Sequence, residues 1–179
     1  PKEYNGIKFC KADAVPINEN TGLQQIKAII EKGEYLKSQS KNKGKRLEKN
    51  IFSDYAKHVI SFIDKNRIRN LKIAADAGNG MAGKMVPLIY KNLPIEIAPL
   101  YFELNGTFPN HPADPSKYEN LKKLQEAVRK EKCDFGMAFD GDADRVFFVD
   151  ENGAAVNASI IYALIIKNIL KKKPNENVI

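Results

Sequence analysis

The stretch FGMAFDGDADRVFFV, residues 135–149, decides the fold, because it predicts two strands joined by an acidic bend. The runs from Phe135 to Phe139 and from Val146 to Asp150 carry the apolar residues expected of strands. Between them, Asp140, Asp142 and Asp144 alternate along the chain. Residues two apart on an extended chain point the same way, so the three carboxylates are predicted to share one small volume.

The acidic loop, residues 140–145, therefore predicts a divalent metal site. Two carboxylates about 4 Å apart repel each other by about 4 kcal/mol at an effective dielectric constant of about 20. A divalent cation cancels that repulsion, and oxygen ligands favour magnesium, calcium or manganese. Gly141 and Ala143 are small and let the backbone wrap closely. We therefore assign Asp140, Asp142 and Asp144 as candidate metal ligands.

Two alternatives exist for this loop. A calcium-binding EF-hand would place oxygen ligands at Asp140, Asp142, Asp144 and Glu151, but it needs glycine at its sixth position, where Arg145 stands. EF-hands are also flanked by helices, whereas both flanks here are strand-like. The second alternative is a solvated acidic turn that holds no metal.

Arg145 has two interpretations that the sequence leaves open. Its guanidinium could form a salt bridge with the neighbouring carboxylates. It could equally contact a phosphate held against a metal, because guanidinium and phosphate oxygens pair in a bidentate way.

Outward from the acidic loop, the chain alternates helical and strand-like patterns, which predicts an α/β fold. A polar, lysine-rich linker is expected at residues 38–49, and an ordered, proline-rich loop at residues 107–116. The last helix is strongly apolar and is expected to be buried. The predicted helices are Thr21 to Tyr35 (capped by Thr21), Asn50 to Asp64, Met81 to Lys91, Tyr118 to Glu131 and Asn157 to Lys171; the further strands are Gly6 to Lys11, Leu71 to Ala75 and Ile95 to Phe102, the last interrupted by Pro99.

Composition narrows the possible classes of protein. The chain has 179 residues and is 43% hydrophobic, enough to fill a core. Its net charge of +7 suits either a nucleic-acid partner or a small anionic substrate. The longest apolar run, from Ile160 to Ile166, is far shorter than the ~20 residues of a membrane span. Cys10 and Cys133 form no CxxC pair, which argues against zinc and favours reduced thiols in the cytoplasm.

A rival function follows from Gly78, Gly80 and Gly83, which match GxGxxG between a strand and a helix. That pattern is typical of dinucleotide-binding domains, so an NAD-dependent oxidoreductase is an alternative. The acidic residue expected on the ribose is poorly placed, since Glu96 comes too early and Glu103 lies beyond a proline. A basic nucleic-acid-binding module is a third possibility.

Four stretches, taken in order, resemble the α-D-phosphohexomutases, the phosphomannomutase/phosphoglucomutase family. Residues 140–145, DGDADR, resemble its metal loop DGDGDR, with Ala143 in place of the usual glycine. Residues 1–8 resemble the segment after its phosphoserine motif, residues 76–83 its second-domain turn, and residues 108–112 its FPNH loop. The resemblance implies a three-layer α/β domain with a mixed, mostly parallel sheet between helices, plus partial neighbouring domains.

The resemblance also implies a function. Such an enzyme moves a phosphoryl group between the 1- and 6-positions of a hexose through a phosphoserine and a bisphosphorylated sugar. By this resemblance Asp140, Asp142 and Asp144 hold Mg²⁺, with the phosphoserine as a further ligand. Arg145 steadies the transferring phosphoryl group. Lys8 acts as a general acid/base, although a lone lysine in a short strand is usually a surface charge. The expected partners are hexose phosphate and hexose bisphosphate, with no nucleic acid and no membrane; the oligomeric state and the preferred hexose are left open.

The resemblance divides the chain into the end of domain 1 at residues 1–46, domain 2 at residues 47–154 and the start of domain 3 at residues 155–179. We expect the phosphoserine to lie just before Pro1, so that this polypeptide alone has no mutase activity. His111 in the proline-rich loop is interpreted as structural, and His58 as an ordinary helix residue.

Overall fold

A computed structural model describes residues 6–33 and 44–178 of the chain. The chain divides into two compact units, Pro1–Lys49 and Asn50–Ile179. Three sequence predictions lie partly outside the described residues: the start of the motif at residues 1–8, the end of the first helix at Tyr35, and the first half of the linker at residues 38–49. The predicted boundaries of three domains stay predictions.

The first unit contains one helix, α1 (Leu23–Lys32), among its described residues. The prediction that Thr21 caps this helix is wrong. Thr21 ends a short 3-10 turn that Asn18 caps, and its hydroxyl accepts a hydrogen bond from the Asn18 backbone N–H. The predicted strand at Gly6 to Lys11 is reduced to an isolated bridge between Cys10 and Pro16, since no further strand pairs with it in the described part of this unit.

The second unit is built on a four-stranded sheet with the strand order β2-β1-β3-β4. β1 pairs in parallel with both β2 and β3, and β3 pairs with β4 in antiparallel fashion. The sheet is therefore mixed and mostly parallel, as predicted. The strands are β1 (Leu71–Asp76), β2 (Ile95–Leu100), β3 (Phe135–Phe139) and β4 (Val146–Val149).

Helices cover both faces of this sheet, which confirms the three-layer prediction. On one face, α4 (Lys122–Glu131), which follows a 3-10 turn at Tyr118–Leu121, buries its apolar stripe against β1, β3 and β4. On the other face, α3 (Ala82–Tyr90) packs with alternate residues of β1 and β3, and α2 (Phe52–Ser61) packs against α3. Because successive side chains on a strand point to opposite faces, the sheet has two separate cores.

β2 runs through Pro99 without the predicted interruption. Within the described chain β2 pairs only with β1, so it is an edge strand. Proline lacks a backbone donor and is tolerated on an edge strand, where one side of the ladder needs no partner.

The prediction that the last helix is buried is wrong. α5 (Ala158–Lys172) has no buried residue, and Tyr162 is 64% exposed. Apolar residues occur on all sides of α5, and the described chain partly covers only a few of them, such as Ile161. Among the described helices, none combines the length and the apolar character that would be needed to cross a membrane.

Candidate metal centre

The acidic loop joins β3 to β4, and the antiparallel pairing of these strands fixes its two ends. Asp140 is 2% exposed, whereas Asp142 and Asp144 are exposed. One carboxylate oxygen from each of the three lies within 4.8 Å of the others. The structure thus brings the three predicted ligands together, and their binding of a metal stays a prediction.

The backbone of the loop is folded back on itself at its centre. The carbonyl oxygen of Asp140 accepts a hydrogen bond from the Ala143 N–H at 3.1 Å. Ala143 has φ +61°, in the left-handed region that favours glycine. An alanine side chain there costs about 1–2 kcal/mol, so this position carries local strain.

Arg145 contacts the carboxylates that precede it. Its Nε donates to Oδ2 of Asp140 at 2.7 Å and lies 3.6 Å from Oδ1 of Asp144. Its backbone N–H also donates to Oδ1 of Asp140 at 3.0 Å. The salt-bridge interpretation of Arg145 is therefore correct in this structure. Because its side chain is still 59% exposed, the guanidinium remains accessible to an oxyanion in solution.

These contacts set the ionisation of the loop. Burial raises the pKa of Asp140, but the hydrogen bonds from the backbone and side chain of Arg145 outweigh burial, so that pKa lies below its ordinary value. The hydrogen bond to Asp140 in turn raises the pKa of Arg145. Asp140 is therefore a carboxylate at neutral pH, as a metal ligand must be.

The donor set fits a hard divalent cation. Three carboxylates supply oxygen atoms, which magnesium, calcium and manganese prefer. Magnesium usually keeps several coordination positions for water or phosphate oxygens, so three protein ligands are sufficient. The flanking elements are strands, which excludes the helix–loop–helix arrangement of an EF-hand.

The glycine turn, residues 76–81, lies directly beside the acidic loop. β1 and β3 are parallel neighbours, with Asp76 in register with Ala138, so the segments that follow the two strands meet at one edge of the sheet. The Met81 N–H donates to the Gly141 carbonyl oxygen at 3.0 Å. A Cβ atom on Gly80 would lie 2.6 Å from that same oxygen. Gly80 is therefore required because two backbones touch.

This packing argues against the dinucleotide alternative. In such sites the glycines let a pyrophosphate approach the backbone. Here the position beside Gly80 is filled by Gly141, and a Cβ atom on Gly83 would lie 2.1 Å from the Phe102 carbonyl oxygen. In this chain, Gly80 and Gly83 of the GxGxxG pattern allow close contacts between backbone segments of the protein.

The proline loop, residues 107–116, packs against the glycine turn through His111. Nε2 of His111 lies 3.0 Å from Oδ2 of Asp76, a carboxylate that is 1% exposed. Nδ1 of His111 lies 2.8 Å from the Pro112 carbonyl oxygen, and the imidazole meets the Tyr101 ring edge-on. Since a carbonyl oxygen only accepts, Nδ1 donates. The hydrogen bond to Asp76 raises the pKa of His111.

The Asp76–His111 pair was missed by the sequence analysis, which interpreted His111 only as structural. Both residues stand in motifs that the sequence shows, Asp76 at the end of β1 and His111 in the proline loop. Their separation of 35 positions has no periodicity that would pair them.

Lys8 lies in the first unit, in irregular chain, and is exposed. Its predicted role as a general acid/base stays a prediction.

Comparison with known proteins identifies the class. Residues 53–153 match the family described as "Phosphoglucomutase/phosphomannomutase, alpha/beta/alpha domain II". The chain therefore belongs to the phosphoglucomutase/phosphomannomutase family, as the resemblance predicted.

Individual relatives agree with this membership. The chain is 34% identical to a phosphomannomutase of Vibrio cholerae, over 100% of this chain and 39% of the relative. It is 35% identical to a phosphoglucomutase of Neisseria meningitidis, over 100% of this chain and 38% of the relative. A crystal structure of a phosphoglucomutase/phosphomannomutase family protein from Burkholderia thailandensis superposes with a TM-score of 0.75 at 27% identity, covering 84% of this chain and 31% of that one. The chain thus spans about two fifths of the length of these curated relatives.

Proposed function

We propose that this chain supplies the metal-binding segment of a phosphohexomutase. The whole protein would interconvert hexose 1-phosphate and hexose 6-phosphate through a phosphoserine and a bisphosphorylated sugar. The observation that carries the proposal is the cluster of Asp140, Asp142 and Asp144 at the carboxyl end of β3, with their oxygen atoms within 4.8 Å of one another. Family membership and the names of the relatives support the reaction class.

In this proposal the three aspartates hold Mg²⁺, together with the phosphoserine of the whole protein. When bound, the ion neutralises charge on the phosphoryl group that is transferred. The chain's own contribution is to place three carboxylates in advance on a loop between two paired strands, one of them buried and ionised. Positioning and charge compensation account for most of the catalysis in phosphoryl transfer.

Arg145 is proposed to steady the transferring phosphoryl group. Its guanidinium contacts the acidic loop through Nε and is exposed on its remaining surface, so it can offer further N–H donors to phosphate oxygens. Lys8 is proposed as the general acid/base on the strength of the family resemblance alone.

The proposed substrates are hexose phosphate and hexose bisphosphate, and the net charge of +7 suits such anions. A cytoplasmic location is proposed because both cysteines are free thiols. Since the chain covers only 39% of its Vibrio cholerae relative, turnover is proposed for the whole protein, and the 179-residue chain is expected to be inactive alone.

A coupled assay on the whole protein tests this function. With hexose 1-phosphate, a bisphosphate activator and magnesium, we expect turnover that falls by at least about 100-fold in Asp142→Asn, because one negative ligand is lost. The matched control is Asp64→Asn. Asp64 is an exposed aspartate that caps the short turn Lys65–Arg67, and asparagine can keep that hydrogen bond. Absence of hexose-phosphate turnover by the unaltered whole protein would overturn the proposal.

A further inference from the structure

We propose that Asp76 and His111 are positioning residues for the acidic loop: their pair holds the glycine turn and the proline loop together as the wall against which that loop packs. The proposal deepens the proposed function, because it concerns the same metal site. The part of the proposal that concerns the conformational order of the acidic loop does not depend on whether a metal binds.

The first step is the pair itself. Oδ1 of Asp76 accepts the Gly78 N–H at 2.8 Å, and Oδ2 pairs with His111 Nε2 at 3.0 Å. Each carboxylate oxygen thus has a partner, and the carboxyl group is 1% exposed. A buried carboxylate is costly without compensating donors, so loss of His111 forces the turn or the loop to rearrange.

The second step is the side-chain amide of Asn79, which binds the proline loop on one side and the segment after β2 on the other. Asn79 has φ +61° and is 6% exposed. Its Oδ1 accepts from Asn110 Nδ2 at 2.7 Å, and its Nδ2 donates to the Glu103 carbonyl oxygen at 2.8 Å. His111 and Asn110 are sequence neighbours, so the proline loop is attached to the glycine turn at two adjacent positions.

The third step is contact with the acidic loop. From the glycine turn, the Met81 N–H donates to the Gly141 carbonyl oxygen. From the proline loop, Phe108 and Ala113 also lie close to Gly141, since a Cβ atom on Gly141 would be 3.3 Å from Phe108 Cζ and 3.8 Å from Ala113 Cβ. Gly141 stands between Asp140 and Asp142, so a shift of either segment moves two of the three candidate ligands.

The test compares His111→Ala with His58→Ala in the whole protein. His58 lies on α2, where its ring contacts Phe62. Hydrogen exchange is followed in the peptide that contains residues 140–145, where the Ala143 and Arg145 amides are hydrogen-bonded. We expect faster exchange in His111→Ala alone. We also expect Mn²⁺, used as the probe metal, to bind about 10-fold more weakly, in line with the loss of partners behind a metal ligand.

Asp76→Asn is the conservative variant, because it removes the negative charge of Asp76 but keeps its shape and its capacity for both hydrogen bonds. A neutral imidazole keeps Nδ1–H on the Pro112 carbonyl oxygen and can accept at Nε2 from the asparagine amide. We expect this variant to retain most of the protection of residues 140–145 and most of the Mn²⁺ affinity.

Equal exchange and equal Mn²⁺ affinity in His111→Ala and His58→Ala would overturn the inference. If the unaltered protein binds no Mn²⁺, the proposed function fails, and the exchange comparison still decides the positioning role. If His111→Ala does not fold, Phe108→Leu takes its place. It keeps the Asp76–His111 pair, removes ring contact with Gly141, and is expected to increase exchange in the same peptide; unchanged exchange there would overturn the inference equally.

Discussion

At the scale of single residues, the acidic loop shows what a sequence can locate. The alternation of Asp140, Asp142 and Asp144 predicted that the carboxylates share one volume, and they do, but the loop that brings them together is a tight turn and not the extended chain assumed in that prediction. The sequence could not choose between the two interpretations of Arg145, since both require the same residue at the same position. The pairing of Asp76 with His111 depends on a tertiary contact and was not predictable from local pattern.

Ala143 provides a stability test at this scale. Replacement by glycine removes the Cβ strain at φ +61°, worth about 1–2 kcal/mol, and loses part of that gain through the greater freedom of the unfolded chain. We expect Ala143→Gly to raise the free energy of unfolding by about 0.5 kcal/mol in urea titrations. Ala154, an exposed alanine whose φ is not positive, is the matched control. Ala154→Gly should lower the stability, and a loss of similar size at both sites would contradict the assignment of strain.

His111 predicts a pH dependence of stability. Asp76 raises the pKa of His111 in the folded protein, whereas the unfolded value is about 6.5. The protonated pair therefore contributes its full stability below about pH 6.5, and that contribution is lost as the pH rises through the raised folded pKa. Urea titrations between about pH 6 and pH 9 should show this decline in the unaltered protein. His111→Gln should be less stable at low pH and lack this component of the decline; the same decline in the variant would assign it to another group.

At the scale of elements, the sequence predicted β1 and β3 closely, because both are short, buried and bounded by clear turns. The predictions were wrong where an element's neighbours in the fold determine its structure or its exposure. Pro99 is tolerated because β2 is an edge strand, and α5 is exposed although its composition resembles that of a buried helix. Local pattern specifies which elements form, and packing specifies which of their faces are covered.

Gly83 tests how closely α3 must approach the segment after β2. A Cβ atom there would lie 2.1 Å from the Phe102 carbonyl oxygen, so Gly83→Ala must push backbone away from backbone. We expect a loss of about 1–3 kcal/mol in the free energy of unfolding. Gly106→Ala is the control, since its Cβ atom would meet nothing within 4 Å. Equal effects at the two positions would show that the close approach of α3 is not required.

At the scale of the whole molecule, the chain is one segment of a longer architecture in its relatives, of which it covers about two fifths. The acidic loop lies wholly within this segment, together with both strands that support it. The proposed reaction needs groups from elsewhere in the protein. Sequence motifs identified the family at this scale, whereas the apolar composition of α5 did not reveal that the helix is exposed.

Separate assays of the 179-residue segment and of the whole protein test whether turnover needs groups outside this segment. We expect the 179-residue chain to give no mutase turnover under conditions in which the whole protein is active. Circular dichroism would verify that the segment is folded. Turnover by the folded segment alone would contradict the division of roles.

Metal titration tests whether the three carboxylates of the acidic loop form one divalent-metal site. Mn²⁺ binding to the whole protein is followed by electron paramagnetic resonance, with Mg²⁺ as the competitor, for the unaltered protein, Asp142→Asn and the control Asp64→Asn. We expect one Mn²⁺ site from which Mg²⁺ displaces the ion, an affinity at least about 10-fold weaker in Asp142→Asn, and no change in Asp64→Asn. Equal affinity in all three proteins would contradict the claim that Asp140, Asp142 and Asp144 form a single metal site.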